Sequence, residues 1–135
     1  MESLELYNIA ENDGIEIHWF ELPNCSALTE YLYERYYIGL DTHLSQAQEK
    51  VALAHELGHC KTDALYGRDV STATLERSES RAEKWSVTQL ISFDDLLCAF
   101  KKGNCEVWEL AEYFDMPEDF IRTTLDVYRR LGDLA

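Results

Sequence analysis

Residues 51–65, VALAHELGHCKTDAL, set His55, Glu56 and His59 into an otherwise apolar run. Burying ionisable side chains is costly unless they are paired or hold a metal, so this stretch constrains the fold more than any other. On an α-helix, residues four apart lie one above the other on the same face. His55 and His59 therefore both reach one small cation, with Glu56 beside that face, within reach of a water. Zinc accepts two imidazole nitrogens and leaves positions for a third donor and a water. Such an ion acidifies water, and a neighbouring carboxylate can take the proton and pass it to a leaving amine. The competing reading is a buried helix with two hydrogen-bonded core histidines. It gives no role to the glutamate between them.

The surrounding pattern predicts a helix from about Gln46 to Leu65, with Asp41 to Ser45 supplying polar capping residues. Leu53, Leu57, Cys60 and Ala64 form a stripe nearly opposite the two histidines, so one side packs and the other carries the ligands. Gly58 costs roughly 1 kcal/mol against alanine inside a helix and points to close packing there.

A catalytic site needs a third protein donor. A metzincin-like extension requires Gly at 62 and His at 65, where this chain has Thr62 and Leu65. Asp63 lies one turn beyond His59, but three donors stacked on one helix span roughly 12 Å and cannot surround one ion. The donor is therefore expected from a second, antiparallel helix, about Thr74 to Ile91, after a connecting loop at 66–73. Glu79 fits best, since it shares a face with Leu75, Ala82, Ser86 and Leu90, and Ala82 allows close approach to the metal helix. Glu76 and Glu83 are rivals on pattern alone, and a solvated glutamate is the simpler alternative.

Elsewhere, residues 2–12 have helical spacing and end at Asn12-Asp13-Gly14. IEIHWFEL alternates, with Ile15, Ile17 and Trp19 on one face and Glu16 and His18 on the other. YLYERYYIGL, residues 31–40, is β-rich, though its first half also fits a helical turn. After the second long helix come FDDLLCAFKK, a break at Gly103-Asn104, EVWELAEYF, a turn at 115–117, and EDFIRTTLDVYRRL. The order implies an α+β fold: a small antiparallel or mixed sheet, the H-E-x-x-H helix, the glutamate helix, then a helix-turn-helix-like unit. Residues 1–92 are read as the core and 93–135 as a helical unit packed on it, one compact domain overall.

Charge removes several function classes. Twelve basic against 26 acidic residues give a formal charge of −14, which repels phosphate backbones and anionic membrane surfaces. Leu110, Ala111 and Phe114 before the turn, and Phe120, Ile121 and Leu125 after it, resemble a DNA-reading pair of helices. Yet residues 104–131 carry seven acids against Arg122, Arg129 and Arg130, so a structural or protein-docking role is expected, with no direct nucleic-acid contact. The acidic start, MESLELYNIAEND, has no basic or apolar leader region, and no apolar run is long enough to span a membrane, so a cytoplasmic chain is expected. Cys25, Cys60, Cys98 and Cys105 show neither CxxC nor metal-knuckle spacing. His18 reads as a surface or groove histidine rather than a ligand. Tyr66, just past the metal helix, is a candidate oxyanion donor, though such a tyrosine is more often core.

LAHELGH, the LYG spacer, E-x-x-A-x-x-W at Glu79–Trp85 and LIS at 90–92 together resemble the ImmA/IrrE family of metallopeptidases. The resemblance continues upstream through GIEIHWF and YYIGLD and downstream through FDDLLCAFKKGN and WELAEYFDMPEDFI. It departs from the family pattern at Glu83, Ser86, and Ser92 with Phe93. It implies a minimal gluzincin-like fold in which His55, His59 and Glu79 hold zinc and Glu56 is the catalytic glutamate. It further implies an endopeptidase of phage or mobile-element type, acting on a helix-turn-helix repressor of a mobile element or stress circuit. The alternative is a zinc-stabilised module that binds a repressor or toxin-type partner without cutting it. A substrate strand is expected along the sheet edge near YYIGL.

Overall fold

A computed structural model of the chain describes residues 1–62 and 72–134. It is α+β, with a three-stranded mixed sheet and six helices among the described residues. Two compact units, Met1–Ser86 and Val87–Ala135, divide the chain.

In the first unit, helix α1 (Ser3–Asn12) buries Leu6 and Ala10. It ends where Gly14, at φ +70°, turns the chain so that Ile15 N–H donates to the Ala10 carbonyl. An L side chain disfavours that φ, which explains glycine there. Strand β1 (Glu16–Phe20) follows, then β2 (Ala27–Leu32) and β3 (Arg35–Asp41). The spatial order is β1-β3-β2, with β1 parallel and β2 antiparallel to β3.

Two expectations need correction here. The stretch 31–40 is not one strand with a helical start. It is most of a hairpin, whose first strand begins back at Ala27 and whose tip is Tyr33-Glu34. Both tip residues have positive φ, 53° and 63°, which matches the twist of a two-residue hairpin loop. Such tips usually carry Asn or Gly, and their absence hid the turn. Nor is YYIGL at an edge. It lies in the central strand, and the free edge on the side away from β1 is β2.

Pairing fixes the two sheet faces. Ile38 and Leu40 of β3 are fully buried, and their register partners Ile17, Trp19, Ala27 and Thr29 share that inner face. Against it packs helix α2 (Gln46–Lys61). Ser45 caps it through a reciprocal pair, Gln48 N–H to Ser45 Oγ at 3.2 Å and Ser45 N–H to Gln48 Oε1 at 2.9 Å. Tyr7 donates to Glu49, and Lys61 pairs with Asp13, so α1 is tied to α2 at two points. Helix α3 (Thr72–Leu90) carries the glutamate-bearing segment, and the unit boundary falls within it.

In the second unit, α4 (Phe93–Lys101), α5 (Val107–Phe114) and α6 (Glu118–Arg130) bury Leu96, Leu110 and Ile121. Asp115, at φ 53°, ends α5 in the left-handed conformation before Pro117 opens α6. The Tyr128 hydroxyl donates to the Ile91 carbonyl at 2.7 Å, with the Phe93 ring 5.5 Å from its own. Among the described residues no helix is long and apolar enough to cross a membrane.

Candidate metal centre

The i, i+4 spacing on α2 places the His55 and His59 rings on one side, centroids 5.0 Å apart. The Glu79 carboxylate of α3 forks between them. Its Oε2 lies 2.8 Å from His55 Nε2 and its Oε1 3.0 Å from His59 Nε2. Donor atoms of all three residues lie within 4.8 Å of one another. Tetrahedral donors about 2.1 Å from a common ion stand roughly 3.4 Å apart, so this set closes on one cation with small side-chain adjustments. Two imidazoles with one carboxylate suit a divalent first-row metal. Glu76 and Glu83, the rivals on pattern, are outside the group. Asp63 and Tyr66 lie outside the described residues.

The helices meet closely enough for this because Gly58 and Ala82 face each other. A Cβ on Gly58 would stand 2.5 Å from the Ala82 carbonyl oxygen. Ala82, Ser86 and Leu90 are buried as their shared face implied, while Leu75 is half-exposed. The α2 stripe of Leu53, Leu57 and Cys60 is buried too, but the ligand side is not simply open, since His59 is also buried. His55 and Glu79 keep side-chain exposures of 32% and 50%, so the ligand cluster opens to solvent on their side.

Ser78, fully buried, completes the shell. Its Oγ lies 3.4 Å from His59 Nδ1. A proton on Nδ1 donated to that oxygen leaves the Nε2 lone pair for a metal. Ser78 had no sequence signal of its own beyond preceding Glu79. His18 sits on the opposite sheet face, beside Glu16 and the Tyr37 ring, and is not a ligand.

Glu56 is only 8% exposed and stands outside the ligand group. Burial raises its carboxyl above the ordinary range; the His59 imidazole opposes the rise, the Glu79 carboxylate adds to it, and the Thr29 hydroxyl opposes it. Two histidines and a carboxylate on two helices, with a second, buried carboxylate beside them, define the working parts of a metallopeptidase-type centre. The chain belongs to the peptidase M78 family, described as the IrrE N-terminal-like domain, which matches residues 11–126. That membership supports a metallopeptidase-type function. No curated protein and no solved structure matches the chain.

Proposed function

We propose that this chain is a zinc-dependent endopeptidase that cuts a helix-turn-helix-type repressor of a mobile element or stress circuit. The observation that carries the reading is the separation of roles around α2. His55, His59 and Glu79 converge as a ligand set, while Glu56 stays outside it as an unshared carboxylate. A purely structural ion would need the ligands and no such base. When bound, zinc would supply Lewis acidity toward the scissile carbonyl and toward water. Glu56 would accept the water's proton and return it to the leaving amide nitrogen.

An extended peptide would add to the free edge of β2, the strand beside α2, through main-chain hydrogen bonds. Tyr31 and Tyr36, ring centroids 4.8 Å apart on the inner face, would flank its side chains. The formal charge of −14 favours encounter with a basic partner, as a DNA-binding repressor must be.

The test mixes wild type and Glu56→Gln, both zinc-loaded, with a repressor encoded beside the gene, and follows repressor length and association. Wild type is expected to cut it. Glu56→Gln should keep metal and partner while turnover falls about 10²–10⁴-fold. Tight binding without cleavage by wild type, unchanged in Glu56→Gln, would instead establish the metal-stabilised binding module.

A further inference from the structure

Thr29 Oγ1 on β2 and Glu56 Oε2 on α2 are buried and have no hydrogen-bond partner among the described residues. The elements that carry them pack against each other. Thr29 pairs with the fully buried Ile38 in the sheet register, so its side chain shares the inner face on which α2 packs. A buried hydroxyl with nothing to meet is destabilising, and a buried carboxylate oxygen more so. The carboxylate oxygen is the acceptor that the threonine proton lacks, and the hydroxyl is the donor that the oxygen lacks.

We propose that Thr29 is a positioning residue for Glu56: its hydroxyl donates to Glu56 Oε2 and leaves the second carboxylate oxygen to act as base. The assignment rests on the reading of Glu56 as that base. The two groups stand short of hydrogen-bond geometry here. Rotation of the Thr29 side chain or of the Glu56 carboxylate is the motion that would form the bond. β2 is also the edge strand that a substrate peptide would extend. The same six residues, Ala27–Leu32, thus carry the docking edge on their main chain and the support for the base on one side chain. A peptide hydrogen-bonded along that edge would steady the strand, and with it the hydroxyl.

Two substitutions test this. Thr29→Val removes the hydroxyl and keeps the branching, whereas Thr29→Ser keeps the hydroxyl. The first readout needs neither metal nor turnover: NMR of the isotope-labelled Glu56 carboxyl carbon in the metal-free protein. Its resonance is expected to move in Thr29→Val and to stay near wild type in Thr29→Ser. An identical resonance in all three proteins overturns the proposal, whether or not the chain cuts peptides. The second readout is turnover of the zinc-loaded protein. Thr29→Val should lower kcat about 10–100-fold, with KM and metal content unchanged, and Thr29→Ser should restore most of it. A loss that serine does not restore, or a fall in thermal stability with kcat intact, marks a structural threonine and overturns the assignment. The expected carbon shifts with no cleavage by wild type would uphold the Thr29–Glu56 pair and remove the peptidase reading alone.

Discussion

Glu79 illustrates how a single residue acquires meaning from its neighbours. By exposure it resembles an ordinary solvated glutamate; by position it bridges two imidazoles on another helix. Glu79→Ala should therefore weaken zinc binding by more than about 100-fold, beyond the range typical of losing an outer-shell partner. Glu76→Ala and Glu83→Ala should bind like wild type, and a chelator-competition titration of the three variants checks the ranking. Ser78→Ala should fall between these limits, about 10–100-fold weaker, because His59 loses the partner that orients its ring. His55, Glu56 and His59 were legible in the sequence because one helix carries all three at fixed spacing. Ser78 and Thr29 were not, because Ser78 matters through a contact made across elements and the role proposed for Thr29 depends on how β2 packs against α2.

At the scale of elements, the approach of α2 to α3 decides whether the ligands meet. Adding a methyl at Gly58 relieves a helix-propensity cost of roughly 1 kcal/mol but drives a carbon into the Ala82 backbone, where overpacking costs about 1–3 kcal/mol. The collision involves backbone rather than a movable side chain, so overpacking wins. Gly58→Ala should lower thermal stability and metal affinity together, seen by melting with and without zinc. In the second unit, burial raises the Tyr128 phenol above its ordinary 10.0, with Asp133 and Asp95 adding to the effect. A phenol whose folded value lies above its unfolded value holds its proton longer in the native state. Its contribution is fully present below pH 10.0 and is lost as pH rises through the higher native value. Denaturant melts should show wild type losing stability above that pH by a component that Tyr128→Phe lacks.

For the whole molecule, the dominant property is charge. Helices α5 and α6 have the order of a DNA-reading pair, and α6 begins with Glu118 and Asp119 in its first turn. An excess of 14 negative charges works against every phosphate contact such a pair would need. A mobility-shift titration at low salt should show no sequence-selective binding by this chain. Tight selective binding would mean that a local basic surface outweighs the global field.

The sequence by itself determined the helices, the first strand and half of the centre. Helical and alternating periodicities, the polar capping residues before Gln46, and the i, i+4 histidines all act within a few residues, and short-range geometry is written directly in residue order. The order of the strands was not legible. The hairpin tip Tyr33-Glu34 lacks the usual turn residues, so the split between β2 and β3, and the placing of β2 rather than YYIGL at the edge, came only from pairing. The choice of Glu79 over Glu76 and Glu83 likewise rests on how α3 is rotated against α2, which the Gly58–Ala82 contact sets. Pattern names the face of a helix, but it cannot say which turn of that face stands opposite a ligand on another element. That depends on packing between residues far apart in the chain, and only the tertiary structure decides it.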